Sequence, residues 1–178
     1  TALPNGSGGF SIQAQSAPYT PPMSATFDIQ RATPEDAPAL AALNAHVRQL
    51  HVDAPPHYFR PTDLDELNAT FRDWLKRDDS ATFIARDEDG TPIGYMRTRF
   101  YDQSPTPFHH QRTYLELDQI AVDPTYRRRG LAHAFVELAR EEARARGTDR
   151  VHLATWTFNE GAQPFFESEG FEPRATLY

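Results

Sequence analysis

The sequence predicts a mixed α/β domain, a sheet flanked by helices, with elements in the order β-α-α-β-β-β-α-β-α-β. Three observations carry that expectation. Two apolar stripes at helical spacing precede any long strand-like run, a turn-rich DEDG joins two strand-like runs as a hairpin, and helical and strand-like segments alternate after Val122. The 178 residues suffice for one domain with a sizeable core and are too few for two.

Residues 1–24 are rich in Pro, Gly, Ser and Thr and carry no charge. They read as a tail, neither signal nor transit peptide, with Met23 a candidate start after added or processed sequence. Residues 25–178 read as one domain. FDIQRA alternates like a short strand. In TPEDAPALAALNAHVRQL, Thr33 is the expected N-cap, Pro34 opens the helix, Asp36 completes a near capping box, and Leu40, Leu43, Val47 and Leu50 form the buried stripe. APPH breaks this helix. TDLDELNATFRDWLKR supplies a second, with Leu64, Leu67, Phe71 and Leu75 at helical spacing. The hairpin TFIARDEDGTPIGYMRTRFY, a Pro-containing loop and the strand TYLELDQIAV follow. A third helix carries Leu131, Phe135, Leu138 and Ala139 and ends at Gly147, before the strand RVHLATWTF, the short helix EGAQPFFESE and the strand FEPRATLY.

In TYLELDQIAV the apolar residues change parity: Leu115 and Leu117 are odd, Ile120 and Val122 even. A regular strand cannot keep both sets on one face. A β-bulge at Asp118 or Gln119 resolves this, and a strand covered on both faces is the alternative.

Composition excludes several functions. There is no cysteine, hence no disulfide scaffold, thiolate metal site or cysteine nucleophile. The seven histidines lack HExxH-type spacing, so no metal is expected. A net charge of −7 argues against nucleic acid and fits a cationic small substrate. No apolar run approaches the roughly 18 residues of a membrane span. The expected setting is cytoplasmic.

Against this acidic background stands VDPTYRRRGLAH. A run of like charge is ordinarily a solvated loop. Here a strand runs into a Gly-containing turn and a helix start, which gathers unpaired N–H groups around an anion. Neither GxxxxGK[ST] nor GxGxxG is present. The spacing Arg127-Arg128-Arg129-Gly130-Leu131-Ala132 resembles the acyl-CoA pyrophosphate loop, R/Q-x-x-G-x-G/A, of the GNAT superfamily of N-acyltransferases. LDQIAVDPTYRRRGLA, NEGAQPFFESEGF and IQRATPEDAPAL are similar to three segments of that family, the last of them to its opening strand and helix.

The resemblance implies a mostly antiparallel mixed sheet and acetyl-CoA as co-substrate. Amides from Arg128 to Ala132, with His133, would hold the pyrophosphate, and the side chains of Arg127, Arg128 and Arg129 would meet the ribose phosphate. The pantetheine arm would follow Ile120, Ala121 and Val122, with the Ile120 amide facing the thioester oxygen. Leu131 opens the helix, and Asn159 would contact pantetheine, although Asn after a strand is equally a turn former. Glu116 and Asp118 are the candidate bases, their alternative being surface residues or salt-bridge partners. At Phe166 the family usually has a Tyr that protonates the departing thiolate. Phenylalanine offers no proton, so Tyr101, Tyr114 or Tyr178 serves, the thiolate leaves unassisted, or catalysis is lost.

His51, Tyr58 and Tyr101 are the candidate substrate residues. The reaction expected is acetyl transfer from acetyl-CoA to a primary amine by direct attack in a ternary complex, a small cationic amine favoured. A peptide or protein N-terminus and a non-catalytic acyl-CoA-binding module are the alternatives. A homodimer is the assembly allowed for.

Overall fold

The computed structural model describes residues 10–14, 27–53 and 58–175. Among these, seven strands form one sheet: β1 (Phe10–Ala14), β2 (Asp28–Arg31), β3 (Ser80–Arg86), β4 (Pro92–Gln103), β5 (Arg112–Val122), β6 (Val151–Thr155) and β7 (Phe171–Ala175). Their spatial order is β2-β3-β4-β5-β6-β1-β7, antiparallel throughout except for the parallel pair β5–β6. Four α-helices join them: α1 (Ala37–Asp53), α2 (Leu64–Trp74), α3 (Leu131–Ala145) and α4 (Ala162–Ser168). The expected succession of elements is present, with one strand added.

That strand is β1, which lies inside the segment expected to be a tail. FSIQA alternates apolar and polar residues without charge, and β6 and β7 each offer an edge that it pairs, Ile12 lying opposite both Leu153 and Pro173. Composition conceals this, because five alternating residues inside a Pro/Gly/Ser/Thr-rich stretch are a weak strand signal.

Local chemistry fixes the helix starts. The Asp36 carboxylate accepts from the Thr33 amide at 2.8 Å, closing a 3-10 turn that leads into α1. Asp63 caps α2 by accepting from the Glu66 amide at 2.7 Å. Leu40 and Leu43 are buried as expected, and Val47 packs beside them, whereas Leu64, at the first position of α2, is exposed. Leu50's side chain lies outside the described residues.

The helices cover opposite faces of the sheet. Leu40, Leu43, Leu67 and Phe71 of α1 and α2 pack on Ile84, Tyr95 and Ala121. Leu131, Phe135, Val136 and Ala139 of α3 and Phe166 of α4 pack on Met96, Leu115 and Leu117 on the other side, where Ile120 and Val122 join them. Leu115, Leu117, Ile120 and Val122 therefore share one face despite their change of parity. The register supplies the reason: Arg97 pairs Gln119 while Thr98 pairs Leu117, leaving Asp118 as the extra residue of a β-bulge. The bulge expected at Asp118 or Gln119 is at Asp118.

Candidate functional site

β5 and β6 pair only at Leu115–Val151, Glu116–His152 and Leu117–Leu153. Beyond Leu117 the strands part at the bulge: Asp118 is unpaired on both sides, and residues 119–122 keep their β4 partners but have none on β6. A cavity of about 350 Å³ occupies this gap. Val47, Arg48 and His51 of α1 and Phe59 line one end, and Ala162 and Phe166 of α4 line the other. Because α1 and α4 lie on opposite faces, the cavity threads the sheet. Its middle is walled by residues 116–120 of β5 and by Leu153, Ala154, Thr155, Trp156 and Asn159.

Glu116 is the titratable group best placed for proton transfer. Burial pushes its carboxyl above the usual carboxylate range, while a hydrogen bond donated by Tyr101 pulls it back. Burial and the neighbouring Glu116 in turn push the Tyr101 hydroxyl up to about 12. Asp118 is held differently. It pairs with Arg97, whose side chain is only 4% exposed and lies over the Trp74 ring at 4.3 Å. The salt-bridge alternative is therefore what the structure has at Asp118, leaving Glu116 as the candidate base.

The surrounding hydrogen bonds hold this floor in place. Asn44 donates to the Tyr95 hydroxyl at 2.6 Å, and that hydroxyl donates to Gln119 Oε1 at 2.8 Å, tying α1 to the strand beyond the bulge. Tyr101 stacks on Tyr114 at 4.9 Å, and Tyr114 stacks on His152 at 4.4 Å. Burial, reinforced by Arg174, Arg150 and Arg112, depresses the His152 imidazole to about 4. It is neutral at physiological pH.

At the far end of β5, Asp123 caps a short turn at Pro124–Tyr126 that leads into the arginine loop. Arg128 (φ 64°) and Gly130 (φ 85°) both adopt left-handed backbone, and Gly130 is the N-cap of α3. A non-glycine residue at positive φ is uncommon and costs backbone energy. The side chains of Arg127, Arg128 and Arg129 are exposed. Among the described residues none of the three forms an ion pair, and Arg129 lies over the Tyr126 ring at 4.9 Å. Leu131 is buried beneath the loop, with Ala132 in the first turn of α3.

His133 points elsewhere: its Nδ1 meets Glu169 at 2.8 Å. His133, Glu137 and Glu169 bring ligand-type atoms within 4.8 Å of one another. Arg140 already serves these carboxylates, bonding Glu137 and lying 3.9 Å from a Glu169 oxygen, so a guanidinium supplies the positive charge there.

Of the predicted residues, Glu116, Asp118, Ile120, Asn159, Phe166 and His51 line the cavity. Ala121 and Val122 continue the unpaired edge but turn their side chains to the two cores. Tyr101 reaches the site only through Glu116, and Tyr58 stands behind the lining, its ring 5.1 Å from Trp156. Tyr178 lies outside the described residues. Sequence reasoning missed the Arg97 partner of Asp118, and it missed Arg48, Phe59 and Trp156 on the wall. The spacing Trp156-x-Phe158 at the end of a strand was the available signal for part of that wall.

The family model for the acetyltransferase (GNAT) family matches residues 44–171. An uncharacterized N-acetyltransferase of Methanocaldococcus jannaschii is 32% identical over 104 residues, which is 58% of this chain and 45% of that protein. The chain spans 42% to 62% of the length of the curated relatives it matches. Among solved structures, a tetramutant of the BH1408 protein from Bacillus halodurans superposes with a TM-score of 0.81 at 23% identity, covering 85% of this chain and 97% of that one. A predicted acetyltransferase with acetyl-CoA from Clostridium acetobutylicum gives 0.65 at 19% identity, covering 86% and 94%.

Proposed function

The chain belongs to the acetyltransferase (GNAT) family, and from that premise we propose that it transfers an acetyl group from acetyl-CoA to the primary amine of a small molecule. The observation that carries the reading is the cavity through the β5–β6 gap, with a half-buried carboxylate on its wall and β5 leading on to a left-handed arginine loop at a helix N-terminus.

In this reading the residues fit the parts of acetyl-CoA. The amides of the first turn of α3 and the three exposed guanidinium groups hold its phosphates. The unpaired edge at residues 118–122 takes the pantetheine arm, with Asn159 opposite. Acetyl-CoA supplies an activated acyl group with a stable leaving thiolate. Glu116, directly or through water, accepts the proton of the substrate ammonium. The neutral nitrogen then forms the C–N bond as the C–S bond breaks, the sulfur leaves as thiolate, and the second proton released by the nitrogen passes to that thiolate or to solvent. The Ile120 amide is assigned to the thioester oxygen, where a fixed donor favours the developing negative charge. Tyr101 and Tyr114 share the face of Glu116, the amine side, whereas Phe166 belongs to the α4 side. Unassisted departure of the thiolate is therefore favoured over donation by Tyr101 or Tyr114.

The test is release of CoA thiol from acetyl-CoA in the presence of a panel of primary amines. The chain contributes no cysteine, so all thiol that appears is CoA's. Amine-dependent release is the expected result. Stabilisation by acetyl-CoA without release for any amine would favour a binding module.

A further inference from the structure

Five rings gather at the α1 end of the cavity and belong to neither hydrophobic core: His51, Tyr58, Phe59, Trp156 and Phe158. Phe59 meets His51 at 4.9 Å and Trp156 at 5.3 Å, each edge to face, and Phe158 lies within 5.4 Å of His51 and 5.8 Å of Trp156. His51, Phe59 and Trp156 line the cavity itself. Tyr58 remains 52% exposed. An aromatic wall left outside the cores and turned to a cavity is a surface for an apolar ligand group.

Arg48 stands in the same wall. It donates to the Arg60 carbonyl at 2.7 Å and to the Thr62 hydroxyl, and both acceptors are neutral. Its Nε is buried without a hydrogen-bond partner. Among the described residues it has no ion pair, and the remaining stretches of the chain contain no Asp or Glu side chain. A cavity-wall guanidinium that donates only to neutral acceptors and has no anion among the described residues matches a carboxylate brought by the ligand.

Glu116 for an ammonium, Arg48 for a carboxylate and the rings for an apolar body meet in one cavity. We infer that the substrate is a free α-amino acid with an apolar, preferably aromatic, side chain. This rests on the acetyl-transfer reading and sharpens it: Arg48 and the aromatic wall set specificity, and Glu116 does the proton chemistry.

The test compares L-phenylalanine, phenylalaninamide, alanine and spermidine, by kcat/KM for CoA release and by thermal shift without acetyl-CoA. Phenylalaninamide lacks the charge recognised by Arg48, and its amine is the less basic, so easier deprotonation works against the expected order. Phenylalanine is expected to exceed both the amide and alanine by about tenfold or more, a factor worth about 1.4 kcal/mol, and to give the largest thermal shift. Arg48→Gln should bring the phenylalanine-to-amide ratio near one, with Arg48→Lys intermediate. Trp156→Ala should do the same for the phenylalanine-to-alanine ratio. Acetylation of spermidine or the amide at least as fast as phenylalanine would overturn the inference while leaving acetyl transfer standing. A phenylalanine-specific thermal shift without thiol release would keep the binding inference and overturn acetyl transfer.

Discussion

At the scale of single residues, Glu116 and Tyr101 make opposing contributions that can be separated. Burial raises the Glu116 carboxyl, and the Tyr101 hydroxyl, donating to it, favours the charged form. If the carboxylate is the working base, kcat/KM rises with pH through a value above the ordinary carboxylate range. Glu116→Gln should abolish that limb and lower kcat/KM about 100-fold. Tyr101→Phe removes the stabilising donor, so the limb should move to higher pH with the alkaline plateau largely kept; a limb that stays in place would disconnect Tyr101 from the base. Phe166 provides the second residue-scale test. It is 5% exposed, borders the cavity and packs edge-on against Phe171 at 5.6 Å. Phe166→Tyr should hold or raise kcat, by up to about 100-fold where sulfur departure limits turnover. A sharp loss would mean that the para position meets only apolar packing. That Glu116 and Phe166 border one cavity was legible in sequence, because motif spacing brings their segments together. The pairing of Asp118 with Arg97 was not, since it depends on a cross-strand register that the bulge itself displaces.

At the scale of elements, the junction of α3 with the sheet depends on Gly94. A Cβ there would lie 2.8 Å from the Ala121 carbonyl oxygen and 2.9 Å from Leu131 Cδ2, so backbone and helix must both give. Gly94→Ala should cost about 1–3 kcal/mol in denaturant unfolding; an unchanged midpoint would contradict this close packing. The β4–β5–β6 stack gives a pH signature. His152 is half-buried and neutral, with a folded pKa of about 4 against 6.5 unfolded. The unfolded chain therefore binds the extra proton first, so this contribution is complete above pH 6.5 and is lost as pH falls toward 4. His152→Phe retains a ring against Tyr114 and should flatten the fall in Tm across that window relative to the parent, Glu116 being common to both. Equal slopes would place the acid sensitivity elsewhere. Helices and strands from Asp28 onward were legible because each has its own period and stop signals. The change of parity in β5 even located the bulge to within one residue. β1 was not legible: its strand character comes from the two edges it joins, which lie about 140 residues away or more in sequence.

For the whole molecule, the balance of charge and the splitting of the sheet serve one end. A chain of net charge −7 keeps three exposed arginines together at the start of α3, where the backbone turns left-handed twice. The bulge at Asp118 parts β5 from β6 so that a cavity passes between the helices of both faces. The family was legible from three motifs because they encode this backbone. The amine end was not, because Arg48, Phe59 and Trp156 come from segments 108 residues apart that only the fold unites. The most direct test of the account is the affinity of acetyl-CoA measured by calorimetry on the parent, Gly130→Val and Gly147→Val. Gly147 has a similar φ of 78° at the opposite end of α3, so its variant carries comparable backbone strain away from the loop. The account predicts that acetyl-CoA binds the parent and Gly147→Val alike and fails to bind Gly130→Val; equal affinity for all three would contradict it.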